Sequence, residues 1–186
     1  EIGVRLVGSE MCIRDRDGKV ADITGSPFTN PDLLNPGTHS MVIYNRAEGF
    51  TFDGRMARVN APDGKSRADG ASVIPLPGYL KTVSQEITVT ADDTLRVNPV
   101  PQQRVRDLQL ELEVTQGRPE LIQSVTATLS GIAGVFDMEK GQTIGEPTST
   151  VFSFTRDGSK LTADARLLGT MGACLLYTSD AADDLI

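Results

Sequence analysis

The chain has 186 residues, a length that allows one domain or two small ones and excludes a large multidomain enzyme. Its 18 Lys and Arg residues stand against 25 Asp and Glu residues. The net charge of −7 argues against a nucleic-acid binder, because phosphate contacts need clustered cations. No apolar run approaches the roughly 20 residues that a membrane-spanning helix needs.

The two ends of the chain resemble laboratory DNA. Residues 6–15 match the translation of a transposase sequencing adapter codon by codon, and residues 174–183 match its reverse complement. We therefore interpret 1–16 and 174–186 as adapter-derived segments and exclude them from fold reasoning, although a natural amphipathic tail at each end is the alternative. Between them, residues 17–173 contain 15 basic and 19 acidic residues and no Cys, with a net charge of −4.

Turn signals and alternating patterns predict an antiparallel all-β structure. Asp-Gly pairs such as Asp53-Gly54 and Asp157-Gly158 favour tight turns, because both residue types tolerate positive φ. Period-two alternation between the turns is the signal of a strand. It predicts strands over 40–45, 83–90, 108–114, 124–130, 149–155 and 160–168.

The clearest predicted strand is 108–114, where four aliphatic side chains share one face and Gln109, Glu111 and Glu113 share the other. This pattern is typical of a half-buried antiparallel strand. Val105 breaks the alternation, so a bulge or the strand start is expected near Arg106 and Asp107.

Proline and glycine residues predict how the strands are connected. Pro119 favours a single helical turn, because Pro is tolerated at the first helical position. The glycines in 131–134 predict a bend between strands, and 60–77 predicts a long connecting loop. Two prolines in 98–101 predict a domain boundary, which divides the chain into 17–98 and 99–173.

Few side chains could support catalysis. His39 is the one His of the chain, and no second His or Cys within 17–173 could complete a metal shell, so a surface or sheet-edge imidazole is expected. There is no Gly-x-Ser-x-Gly elbow and no phosphate-binding loop in the sequence. We therefore predict a protein with no catalytic residues, no bound metal and no cofactor.

Residues 34–45, Leu-Asn-Pro-Gly-Thr-His-Ser-Met-Val-Ile-Tyr-Asn, resemble a strand of the fimbrillin-related surface lipoproteins of Bacteroidales. The runs 99–114, 124–136 and 152–171 are similar to the opening of the second domain in this family, which includes FimB-like fimbrial subunits and anchors. The resemblance implies transthyretin-like antiparallel β-sandwiches. On this basis 17–98 is the end of one sandwich and 99–173 the start of a second, both incomplete.

The same resemblance implies a non-catalytic structural or adhesion protein of the cell surface. Its expected partners are fimbrial subunits or other surface proteins, bound by pairing of exposed sheet edges with a neighbour's strand. A lipid anchor to the outer membrane is also implied, attached at a Cys that would precede residue 17 and lie outside this fragment. No other contact with the membrane is expected.

A glycan-binding module of a polysaccharide-uptake system is the alternative function. Sugar-binding surfaces use exposed aromatic rings, and the chain has few aromatic residues. Phe50 and Phe52 share parity beside Gly49 and are the possible glycan-stacking pair, while a place in the sheet core is the competing interpretation.

Overall fold

The computed structural model describes residues 2–4, 11–14, 20–23, 28–30, 34–61, 72–91, 94–174 and 176–182. These residues form 15 strands and one short 3-10 helix, and no α-helix occurs among them. The predicted all-β, antiparallel class is therefore confirmed. None of the described segments is a helix that could cross a lipid bilayer.

The strands are numbered in chain order. They are β1 Ile2–Val4, β2 Met11–Arg14, β3 Val20–Ile23, β4 Phe28–Asn30, β5 Gly37–Asn45, β6 Phe50–Asp53, β7 Met56–Val59, β8 Lys81–Val89, β9 Leu95–Val97, β10 Gln102–Gln103, β11 Arg106–Glu113, β12 Ile122–Asp137, β13 Gln142–Asp157, β14 Lys160–Leu167 and β15 Leu176–Ala182. The 3-10 helix is Pro119–Leu121, where one helical turn was predicted.

The strands form three sheets. The first has the order β4-β1-β9, and the second has the order β10-β8-β5-β2-β3. The third has the order β11-β14-β13-β12-β7-β6, with β15 added alongside β12. Every pair of named strands is antiparallel except β1 and β9.

Strand β5 is buried on both faces. Met41 and Ile43 point into a small core with Ile87, against which residues of β9 also pack. Val42 and Tyr44 point the other way, into the main core. Successive side chains of a strand alternate between faces, so β5 separates two layers of packing.

His39 lies on the same face of β5 as Met41 and is only 8% exposed, so the predicted surface position of this imidazole is wrong. Its Nε2 lies 2.8 Å from the carbonyl oxygen of Asn35. Its Nδ1 is buried and has no hydrogen-bond partner among the residues that the structure describes. His39 lies opposite Ile87 of β8, a residue of the small core that is distant in sequence, which explains why local alternation did not reveal its burial.

Strands β11 and β14 confirm the predicted alternation. They pair antiparallel from Arg106 opposite Leu167 to Glu113 opposite Lys160. On β14 the inward residues are buried, and on β11 the inward leucines are half-buried. The strand starts at Arg106, directly after the fully buried Val105, as the break in alternation predicted.

Strand β12 is longer than predicted. The expected bend at 131–134 is wrong, because a single strand continues through both glycines and pairs with β13 along its length. The register shifts between Ser130 and Ile132 and again between Ala133 and Val135. The glycines therefore accommodate two irregularities within the strand rather than ending it.

Backbone pairing joins the two sides of the predicted boundary at residue 98. Val135–Asp137 of β12 pair with Met56–Arg58 of β7. The amide of Ile74 also donates to the carbonyl of Ser149 at 2.8 Å. The main core contains buried residues from both sides of residue 98. The division into 17–98 and 99–173 stays a prediction.

The turn between β12 and β13 packs against β5 and the turn between β6 and β7. Asp137, 3% exposed, accepts hydrogen bonds from the amides of Glu139 and Lys140 at 3.0 Å each. The Glu139 carboxylate pairs with Arg55 and accepts a hydrogen bond from Ser40 at 2.9 Å. These contacts connect 34–61 to the far end of the long hairpin.

Strands also occur within the terminal segments attributed to adapter sequence. Strand β2 pairs with β3 and β5, and β15 pairs with β12. Strand pairing uses main-chain groups, so strands can form with many different sequences. The adapter origin of 1–16 and 174–186 stays a prediction.

Replacing Gly131 should destabilise the fold more than replacing Gly141. Both glycines have positive φ, 72° at Gly131 and 68° at Gly141. A Cβ added at Gly131 would lie 2.3 Å from the carbonyl oxygen of Ala173. A Cβ added at Gly141 would have none of the described atoms within 4 Å. We expect Gly141→Ala to cost about 1 kcal/mol from backbone strain and Gly131→Ala at least about 2 kcal/mol more. Urea unfolding measures both costs, and equal losses would contradict the close approach of 173.

Candidate strand-binding interface

One side of β12 pairs with three separate segments of the chain. Residues 122–129 pair with β15, and 135–137 pair with β7. Between them, the Met171 amide donates to the carbonyl of Gly131 at 2.7 Å, and the Ala133 amide donates to the carbonyl of Gly169 at 2.9 Å. This side of β12 therefore accepts strands from different parts of the sequence.

The first three side chains of β15, at 176–178, are exposed along β12. Leu176 lies opposite Leu129 and is 37% exposed, and Tyr177 lies opposite Thr128 and is 52% exposed. Thr178 is also exposed. Over 176–178, where the side chains bury so little, main-chain hydrogen bonding is the principal interaction between β15 and this edge.

Strand β11 forms the opposite end of the same sheet. It pairs with β14, and no strand lies along its outer side in the part of the chain that the structure describes. Its solvent face carries Asp107, Gln109, Glu111 and Glu113, all exposed. Sequence alternation identified this polar face, but the open edge depends on the sheet order and could not be predicted.

Ion pairs and aromatic contacts lie on the polar face of β11 and β14. Lys160 Nζ is 2.9 Å from Glu111 Oε1, and the hydrogen bond to this carboxylate raises the pKa of Lys160. The Tyr79 hydroxyl donates to Asp107 at 2.7 Å, which raises the pKa of Tyr79. The Arg166 guanidinium lies 5.4 Å from the centre of the Tyr79 ring.

The possible glycan-stacking residues lie together in the aromatic part of the main core. Phe50 is 8% exposed, and Phe52 is half-buried. The ring centroids of Phe52 and Tyr44 are 4.7 Å apart, and those of Phe50 and Phe52 are 6.2 Å apart. The rings thus stack mainly on one another, and stacking of a sugar on Phe50 and Phe52 stays a prediction.

The described residues contain no cluster of three or more His, Cys, Asp or Glu side chains suited to a metal ion. Within the same part of the chain, the buried acidic, basic or imidazole side chains are His39 and Asp137. They lie in different places, because Asp137 caps its own turn and His39 faces the small core. The structure does not bring them into one acid-base pair.

Comparison with known proteins identifies relatives by fold. No protein-family model and no curated protein matches the chain. A candidate adhesin from Bacteroides ovatus matches with a TM-score of 0.79 at 15% identity, covering 100% of this chain and 79% of that chain. The fimbrial anchor protein Mfa2 from Porphyromonas gingivalis matches with a TM-score of 0.64 at 10% identity, covering 96% and 76%.

A second candidate adhesin from Bacteroides ovatus has a TM-score of 0.57 at 16% identity and covers 92% of this chain and 64% of that chain. These structural neighbours are Bacteroidales adhesin candidates and a fimbrial anchor, which is consistent with the resemblance to the fimbrillin-related family. At these identities the similarity defines a shared fold.

Removing the Phe50 ring should destabilise the protein. Truncation of a buried Phe to Ala typically costs about 3–5 kcal/mol, because packing is lost and a cavity remains. We expect Phe50→Ala to lose stability in this range and Phe52→Ala, which removes a half-buried ring from the same strand, to lose less. Thermal and urea unfolding provide the measurement. A Phe50→Ala protein as stable as the wild type would mean that the ring is available for a ligand.

Proposed function

We propose that the protein is a non-catalytic structural or adhesion protein of the cell surface, part of a fimbrial subunit or anchor, and that it assembles through β-strand addition. The fold that it shares with adhesin candidates and a fimbrial anchor supports the class. The observation that carries the mechanism is the receiving side of β12, which pairs in turn with β15, with 169–171 and with β7. Because β15 lies in the segment that we interpret as adapter-derived, its pairing indicates that this edge accepts a strand of unrelated sequence.

Strand addition suits an assembly function for a physical reason. Each main-chain hydrogen bond contributes a net of about 0.5–1.5 kcal/mol, and a strand of several residues forms several of them at once. This energy depends little on side-chain identity, so one edge can bind the chain's own strand or that of a neighbour. The buried inward residues Val125, Ala127 and Leu129 keep the receiving edge in place.

The proposal includes the setting in which assembly takes place. Fimbrial subunits or other surface proteins would supply the neighbouring strands, and a lipid anchor would attach the whole protein to the outer membrane. No membrane-spanning helix in the chain would be needed for this attachment. The acidic composition fits a partner that is neither nucleic acid nor an anionic membrane surface.

Surface location is tested in a Bacteroidales cell that carries the full gene. Antibodies against the purified chain should label intact cells and should detect the protein in sheared fimbrial fractions. A periplasmic protein fused to the same tag serves as the control for cell lysis. Labelling that requires permeabilised cells would contradict a position on the cell surface.

Weakening β15 should open the edge of β12 to an added peptide. Backbone amides alternate in direction along a strand, so replacing both Tyr177 and Thr178 by Pro removes at least one amide that faces β12. The wild-type strand is tethered and competes with a free peptide at an effective concentration in the millimolar range. We therefore expect a peptide copying 176–182 to bind the double variant at least about tenfold more tightly than the wild type.

Fluorescence polarisation of the labelled peptide measures this difference. The same peptide with Pro in place of Tyr177 and Thr178 is the matched control and should bind neither protein, because it cannot complete the hydrogen-bond ladder. Circular dichroism of the double variant checks that the sheets remain. A folded double variant with no gain in peptide binding would contradict assembly through this edge.

A further inference from the structure

The outer side of β11 offers a second row of main-chain groups. The Val114 amide donates to the carbonyl of Ser159 at 2.8 Å, on the side of β14. The amide and carbonyl of one residue point the same way, and this direction alternates along an antiparallel strand. The main-chain groups of Asp107, Gln109, Glu111 and Glu113 therefore point toward the outer edge.

Apart from the charges on its solvent face, this edge lacks the features that commonly protect sheet edges from pairing. Strand β11 is eight residues long, contains no proline, and pairs with β14 without a register shift. Its half-buried inward side chains are Leu108, Leu110 and Leu112, and the one charged residue of the same parity, Arg106, is exposed at the start of the strand. All three leucines are half-buried, and an added strand with apolar inward residues would cover them further.

The charge on the solvent face of β11 indicates which charge the side chains of an added strand would carry. Four carboxylates, those of Asp107, Glu111, Glu113 and Asp164, face two cations, Lys160 and Arg166, across β11 and β14. In an antiparallel pair, the residues that exchange hydrogen bonds with β11 lie directly opposite Asp107, Gln109, Glu111 and Glu113. Opposite charges at such positions attract, and like charges repel.

We propose that the outer edge of β11 binds an extended segment of a partner protein in which aliphatic residues alternate with Lys or Arg. The aliphatic side chains continue the apolar face of Leu108–Leu112, and the cations lie opposite Glu111 and Glu113. This inference rests on the proposed function, because both assume that the protein binds partners by strand addition. It concerns a different edge from that of β15, at the other end of the sheet.

The test uses the full chain and two seven-residue peptides, Val-Lys-Val-Lys-Val-Lys-Val and Val-Glu-Val-Glu-Val-Glu-Val. Fluorescence polarisation measures their affinities, and a photoactivatable residue at the central position identifies the contacted strand. We expect the basic peptide to bind about tenfold or more tightly than the acidic one and to cross-link within 106–113. The preference should weaken as salt is raised.

Charge reversal provides the matched comparison. Glu111→Lys with Glu113→Lys should reverse the preference, so that the acidic peptide binds more tightly. Glu120→Lys with Glu146→Lys makes the same charge change at exposed residues outside β11 and should leave the preference unchanged. Equal loss of preference in both double variants would overturn the proposal, because net charge alone would then explain binding.

The outcomes separate this inference from the proposed function. Cross-linking of the basic peptide within 122–129 would overturn the β11 site while leaving strand addition at β12 intact. Binding of neither peptide would also overturn the β11 site. That result would mean that the acidic face of β11 protects its edge from pairing. Failure of the β15 replacement experiment, with the basic peptide bound at β11, would instead contradict the role of β12.

Discussion

The architecture depends on the hydrogen bonding of β12 along both of its sides. Over 125–137 one side pairs with β13, while the other pairs in turn with β15, with 169–171 and with β7. A strand can satisfy this many partners only if its backbone stays extended over 16 residues. The irregularities at Gly131 and Gly134 adjust the direction of the strand between partners without ending it.

The shared core follows from this arrangement. Because β7 joins the sheet that contains β12 and β13, Phe50 and Val59 belong to the same hydrophobic cluster as Phe152 and Leu161. The contacts of Glu139 with Arg55 and Ser40 lie at the same junction. Packing on one side of residue 98 is therefore supported by strands from the other side.

Local sequence patterns predicted the strands that have one solvated face. Strands β11 and β14 alternate apolar and polar residues, because each packs one face inward and exposes the other. The continuity of β12 through its glycines could not be predicted, since it results from pairing with segments distant in sequence. For the same reason the burial of His39 was missed, because its strand partner is Ile87 of the distant strand β8.

The candidate interface was predictable to a similar extent. Alternation identified the acidic face of β11, but whether its edge is open depends on which strand lies beside it, and that is a property of the sheet order. The position of Phe50 and Phe52 on one face was correct, and their mutual stacking needed the neighbouring β5 to be known. The sequence therefore predicted which side chains share a face of a strand, whereas the open edges of the sheet could be identified only from the strand order.

The long hairpin of β12 and β13 has a consequence for how the chain folds. Its two strands are joined by the short turn 138–141, so their pairing has a small entropic cost of loop closure. Pairing of Arg58 with Val135 closes a much longer loop and has a larger cost. We therefore expect the hairpin to form first during folding, and β6 and β7 to pair with it afterwards. Strands β6 and β7 are synthesised before β12, so their apolar side chains would stay exposed during translation until β12 is available for pairing.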